Sequence, residues 1–218
     1  MFLAGFFLIF ALVNSTEEKR MGIRGIGVVG AGQMGQGIAQ TAAQAGFEVC
    51  LADVNLESAQ KGIDRIAAQL SKMVEKQKLT PSEAEAIRKR LKAVGGLEGL
   101  RDCDLIIEAV SENVELKKRI WKELDRVVKS EALFASNTSS ISITELAAAT
   151  GRADRFAGMH FMNPVPVMKL VEGIRGIQTS DGTFRAIREA AEKMGKTFVE
   201  ARDMPGFAVN RILMPMIN

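Results

Sequence analysis

The sequence predicts an α/β protein whose sheet is doubly wound and mainly parallel. Three observations carry the prediction. Short apolar runs at 26–29, 48–52, 105–108 and 133–136 alternate with longer stretches of helical period. The first run passes through closely spaced glycines into a helix, and the second ends in an acidic residue, Asp53. Composition fits a folded chain. With 218 residues, 47% hydrophobic and 25% charged, there is enough sequence for one well-packed domain and the beginning of another. The formal net charge of +3 is small and the basic residues are spread along helices, so nothing points to nucleic acid. There is no low-complexity stretch and no internal repeat.

The first strand runs into Gly30-Ala31-Gly32-Gln33-Met34-Gly35 and then a helix to about residue 45, with Met34, Ile38, Ala42 and Ala45 on its buried face. Gly30 suits a tight turn, Gly32 a close backbone approach to a pyrophosphate, and Gly35 close packing of helix on strand. The free amides at Gly32, Gln33 and Met34 are left for phosphate. Asp53 stands roughly 20 residues further on, where a carboxylate accepts both ribose hydroxyls of an adenosine. A carboxylate there repels a 2′-phosphate, and Val54-Asn55 supplies no arginine to receive one, so NAD is favoured over NADP.

Two helical stretches follow, an inserted hairpin. The first runs from about 56 to 76. The second opens on the capping box Thr80-Pro81-Ser82-Glu83 and ends before Gly95-Gly96. Lys72, Lys76 and Lys78 make the hairpin tip basic, either to hold an anionic nucleotide handle or as an ordinary solvated face. The strand at 105–108 leads to a helix from about 114 to 129 that carries Lys117. The strand at 133–136 ends in Asn137-Thr138-Ser139-Ser140, short hydrogen-bonding groups at the sheet edge where open α/β folds place ligands. The bland alternative is a polar loop before the capping box Ser142-Ile143-Thr144-Glu145.

His160, the only histidine, lies between an apolar run and a loop punctuated by Pro164, with Glu172 downstream. A histidine near neutrality takes and returns protons, and a carboxylate on its far nitrogen fixes the tautomer. Taken alone, it also reads as a hydrogen-bonded structural residue. Cys50 and Cys103 lack metal spacing and read as reduced core residues of a cytosolic protein.

Residues 1–20 stand apart. The apolar 1–13 stretch has no basic flank, is short for a membrane span and precedes no clear cleavage site, so a signal peptide is poorly supported. Met21-Gly22-Ile23 opens directly on the first strand, and Glu17-Glu18 is encodable as a purine-rich tract like a ribosome-binding site. The expectation is a translated leader outside the fold.

In order, the segments GVVGAGQMGQGIAQ, IIEAVSENVELKK, ASNTSSISI, GMHFMNPVPVMKLVEG and DMPGFAVNRILMPMIN closely resemble the 3-hydroxyacyl-CoA dehydrogenases, within them the bacterial 3-hydroxybutyryl-CoA dehydrogenases, from Met21 to Asn218. The resemblance implies a Rossmann-type doubly wound, mainly parallel sheet with the inserted hairpin over 21–206. At 207–218 it implies the start of an all-helical domain that in the family closes over the acyl group and forms the homodimer. It implies His160 as catalytic base, Glu172 as its orienting carboxylate, and Ser139 and Asn210 as hydrogen-bonding groups around the reacting oxygen. Glu112, Lys117 and Asn163 are implied on the nicotinamide side of NAD, and the hairpin, with Lys72 and Lys76, on the coenzyme A side. The expected partner is an acyl-CoA, with no nucleic acid and no membrane. Because the sequence stops within the first helix after Pro205-Gly206, the expectation is a chain that binds NADH, turns over poorly and dimerises only with the remaining helical domain. Two other readings stay open: a non-catalytic NAD-binding or structural relative, and a dehydrogenase of a free hydroxy or sugar acid.

Overall fold

The computed structural model describes residues 22–217. The expected leader lies outside the described residues. Eight strands form one sheet in the order β3-β2-β1-β4-β5-β6-β7-β8. They are β1 (Gly25–Val29), β2 (Glu48–Asp53), β3 (Leu91–Gly95), β4 (Leu105–Glu108), β5 (Leu133–Ser136), β6 (Phe156–Phe161), β7 (Leu170–Arg175) and β8 (Thr197–Arg202). The helices are α1 (Gln33–Gln44), α2 (Leu56–Glu75), α3 (Pro81–Lys89), α4 (Val114–Val127), α5 (Ile143–Ala147), α6 (Asp181–Lys193) and α7 (Val209–Ile217). The first six strands are parallel. The pair β6–β7 is antiparallel, and β8 runs parallel to β7. The chain order reverses at β1, which β2 and β4 flank, and this switch point opens a crevice at the carboxyl ends of the strands.

Each face of the sheet has its own core. On one face Ile38, Ala42, Ile66 and Ile187 from the helices cover Ile26, Leu51, Ile107 and Met159. On the other, Trp121 of α4 packs its ring 4.8 Å from Phe134 and edge-on to Phe156 at 4.7 Å. With both faces covered, the central strands are buried on both sides, and their sequences read as continuous apolar runs.

Two expectations change. The second hairpin helix ends at Lys89, and Leu91–Gly95 leaves it to join the sheet edge beside β2. Ala84, Ile87, Leu91 and Val94 keep a helical period, so the pattern conceals the strand, and pairing with β2 overrides it. Helix α1 is buried from Gly35 through Ala43 rather than on one face, because the loop after β6 covers its outer side. A Cβ on Gly37 would lie 2.8 Å from Val165. Met34 and Ala45 are only partly buried. Strands β7 and β8 are not visible as periodic runs, since β7 is buried on both faces yet carries a charge, Glu172, at its centre. No helix among the described residues is long and apolar enough to cross a membrane.

Candidate active site

Where β1 meets α1, Gly30 donates its amide to Ala52 O at 2.8 Å and takes φ +101°, which favours glycine. A Cβ on Gly35 would fall 1.7 Å from Gly30 O, so the turn closes only without one. Gly32 faces open space. Helix α1 begins there with no side-chain cap and no acidic residue in its first turn, so the amides at its start remain available to an anion. Asp53 Oδ2 accepts the Ala31 amide at 2.5 Å and Oδ1 the Val54 amide at 2.7 Å, and each oxygen keeps a lone pair for a hydroxyl. Asn55 is spent on capping α2 through Ser58 N. This cradle fits the diphosphate and adenosine ribose of a dinucleotide.

Beyond the switch point a polar network runs under the ends of β4 and β5. Glu108 and Lys117 are fully buried, with Lys117 Nζ 2.5 Å from Glu108 Oε1 and 3.5 Å from Glu112 Oε2. Ser136 Oγ donates to the other Glu108 oxygen at 2.7 Å. Glu112 Oε1 accepts from Thr138 Oγ1 (2.5 Å), Ser139 N (2.9 Å), Ser140 N (3.2 Å) and Ser140 Oγ (3.1 Å), which folds the serine loop around it. Burial pushes the Glu112 carboxyl up, but the Thr138 hydroxyl, the Lys117 charge and the Ser139 amide outweigh it and hold it below its ordinary value.

The serine loop delivers Ser139 to His160 at the carboxyl end of β6, with Oγ 3.1 Å from Nε2. On the far side of the ring, Nδ1 lies 2.8 Å from Glu172 Oε2. An ionised carboxylate only accepts, so Nδ1 carries the proton of the neutral ring and Nε2 accepts from the serine hydroxyl. Glu172 Oε1 is not idle: it takes the amides of Ala208 and Val209, both at 2.9 Å, at the start of α7. That anchorage brings Asn210 over the serine loop, with Nδ2 3.4 Å from Ser139 O, and sets Phe207 edge-on to His160 at 5.8 Å. Asp203, which the motif reading passed over, accepts from Ser142 Oγ, Ile143 N, Thr144 N and Thr144 Oγ1, joining the segment before α7 to the start of α5. Ser139, His160, Glu172 and Asn210, distant in sequence, thus form one continuous polar line.

Residues 25–204 match the family described as 3-hydroxyacyl-CoA dehydrogenase, NAD binding domain. The chain belongs to the 3-hydroxyacyl-CoA dehydrogenase family. It is 52% identical to the probable 3-hydroxybutyryl-CoA dehydrogenase of Bacillus subtilis over 198 residues, which covers 91% of this chain and 69% of that protein. It is 40% identical to human mitochondrial hydroxyacyl-coenzyme A dehydrogenase, covering 93% and 67% of the two. The crystal structure of (S)-3-hydroxybutyryl-CoA dehydrogenase from Ralstonia eutropha superimposes with a TM-score of 0.88 at 49% identity, covering 90% of this chain and 70% of that one.

In this 3-hydroxyacyl-CoA dehydrogenase domain the glycine turn continues into a cleft. Gln33 Nε2 donates to Asn163 Oδ1 at 3.2 Å, and both line a cavity of about 410 Å³ between α1, α2 and the loop after β6. Gln40, 2% exposed, also lines it, and its Oε1, shut off from solvent, has no hydrogen-bond partner among the described residues. Lys196 anchors the cleft loop by donating to Val165 O and Met168 O, and burial pushes its ammonium pKa down. The cation of the cleft is Arg65, which shares a stripe of α2 with Gln69 and Met73 at helical spacing. Lys72 and Lys76 are exposed, and neither lines this cleft. Met34 packs partly into the core, so toward a ligand it offers its backbone. Lys117 is held beneath Glu112 rather than exposed in the crevice.

Proposed function

We propose that this protein interconverts (S)-3-hydroxyacyl-CoA and 3-ketoacyl-CoA with NAD, acting on short acyl chains such as 3-hydroxybutyryl-CoA. The observation that carries the reading is the line Ser139–His160–Glu172, a general base with a hydroxyl on one nitrogen and a carboxylate on the other. In oxidation, His160 Nε2 takes the proton of the 3-hydroxyl and Glu172 stabilises the imidazolium formed. In reduction the same nitrogen returns it. NAD, when bound, supplies the acceptor for the hydride leaving C3. With substrate bound, the Ser139 hydroxyl turns from Nε2 to the reacting oxygen, and it and Asn210 Nδ2 orient that oxygen and stabilise its partial charge, each a donor of the kind worth about 3 kcal/mol in a site shut from water.

The residues that would hold NAD are the amides of the Gly30–Gly35 turn for the diphosphate and Asp53 for the adenosine ribose. On the nicotinamide side they are Glu112, Asn163 and, through Glu112, Lys117. Asp53 with no cation after it favours NAD over NADP. The thioester's nucleotide handle would lie along the hairpin, where Arg65 offers a cation in the cleft and Lys72 and Lys76 add exposed positive charge.

The test compares NADH oxidation with acetoacetyl-CoA and with free acetoacetate. Turnover of the thioester alone is expected. Turnover of the free acid alone would turn the reading to a hydroxy-acid dehydrogenase. NADH binding without turnover of either would leave a non-catalytic NAD-binding protein.

A further inference from the structure

We propose that Glu108 sets the charge on the nicotinamide side of the NAD site, acting through Lys117, so that the oxidised, cationic ring is favoured over the neutral reduced one. The inference rests on the NAD site proposed above. Glu108 closes β4, which flanks β1 at the switch point, and is fully buried. Each of its partners donates. Oε1 takes the Val110 amide at 2.8 Å and Lys117 Nζ at 2.5 Å, and Oε2 takes the Ser136 hydroxyl at 2.7 Å. The Ser136 oxygen accepts the Thr138 amide at 3.3 Å, which leaves its proton for Glu108. A carboxyl with three donors on its two oxygens is satisfied as the carboxylate. Lys117, reaching in from α4, is enclosed as completely, and its three N–H bonds match three acceptors: Glu108, Val110 O at 3.3 Å and Glu112 Oε2 at 3.5 Å. It is satisfied as the ammonium.

Two carboxylates and one ammonium leave one negative charge, and among the described residues these three are ion-paired only with one another. Distance decides where that charge lies. The ammonium is closer to Glu108 than to Glu112, so Glu108 is the carboxylate it neutralises, and the surplus falls on Glu112, 40% exposed. A buried pair of this kind is no more stabilising than a well-packed apolar pair, so stability does not account for Glu108. Its effect on charge does. With Glu108 made neutral, Lys117 would answer Glu112 and the group would carry no net charge. The oxidised nicotinamide bears a positive charge that the reduced ring lacks, and a neighbouring negative charge lowers the energy of the oxidised form alone. Contacts common to both forms cancel in the ratio of their affinities.

The experiment titrates the native full chain and its variants with NAD⁺ and with NADH at one fixed low ionic strength and reads the ratio of the two dissociation constants, NAD⁺ over NADH. Glu108→Gln keeps the shape and brings the group to zero charge, and the ratio should rise about threefold to tenfold. Glu108→Gln with Lys117→Met restores one negative charge on Glu112, and the ratio should return toward the native value. A structural role would weaken both nucleotides alike and more so in the double variant. Glu112→Gln is a second neutral variant that keeps the buried pair; it should raise the ratio as Glu108→Gln does, and it stands in if that variant does not fold. An unchanged ratio in the neutral variants, or a double variant shifted as far as they are, would overturn the proposal while leaving the NAD site in place. A native chain that binds neither nucleotide would overturn the site and this proposal together.

Discussion

His160 and Glu172 are directly opposed residues of the antiparallel pair β6–β7, and their side chains meet at 2.8 Å. The contact is a consequence of sheet register. Opposed residues of antiparallel strands project on the same face with Cβ atoms about 5 Å apart. A slip of one residue in β7 would oppose Val171 or Gly173 to His160 and send the carboxylate to the other face. Reversal of β7 relative to the first six strands is what puts the imidazole and its carboxylate side by side at one sheet edge.

Replacing His160 by Gln should lower the turnover of acetoacetyl-CoA by roughly 10²–10⁴-fold or more while NADH still binds. The proposed proton donor is lost, and the glycine turn and Asp53 are untouched. Glu172→Gln should impair turnover as well, through the missing charge on Nδ1. Steady-state kinetics beside an NADH fluorescence titration make the comparison, and near-normal turnover in His160→Gln would remove the base from the proposal.

Asp53→Ala should weaken NADH binding about tenfold and narrow the gap to NADPH. It removes an acceptor for the ribose and a charge that repels a 2′-phosphate, an effect of about 1.4 kcal/mol. If the unmutated protein already prefers NADPH in titration, this reading of Asp53 is wrong.

Asp203→Ala should cost about 2–4 kcal/mol of stability, because the amides of Ile143 and Thr144 and two hydroxyls lose a common acceptor. Urea unfolding should give a lower midpoint with an unchanged slope. A variant as stable as the parent would mean that water replaces the carboxylate without loss.

Acid should destabilise the chain through Glu112 and Asp104. Burial raises Asp104, but the Gly25 amide, Lys129 and the Arg24 amide outweigh it, so both carboxyls sit below their ordinary values. Groups depressed in the folded state stabilise it above their unfolded values, about 3.9 and 4.3, and that contribution is lost as pH falls through the folded values. Stability measured from pH 6 downward should therefore decline below about pH 4. Glu112→Gln should flatten part of the slope, and an unchanged slope would exclude Glu112 as a contributor.

The glycine turn and Asp53 are legible in sequence because their geometry is local: a turn, a helix start and the end of the next strand. His160 stands out because it has no competitor, and Ser139 because it closes a run of short polar groups. Glu108 reads as one more acid until Lys117 and Ser136 are seen on its two oxygens. Asp203 has no local signal, since its partners lie some 60 residues earlier. Strand β3 is masked by a helical period, and the cleft cation Arg65 is recognised only when the loop after β6 folds back over α1.

The segment from Asp203 to Asn210 is fastened at both ends, by Asp203 to α5 and by Glu172 to the amides of Ala208 and Val209, with Phe207 buried between. Its opening is therefore coupled to the sheet and not to the helix it begins. Beyond Asn210, the side chains of α7 from Arg211 to Ile217 are exposed. In hydrogen exchange the amides of Ala208 and Val209 should carry the protection of β7, while those a turn further on exchange far sooner. Asn210 then keeps time with the sheet, and the cooperative unit of the protein reaches past Gly206 to include it.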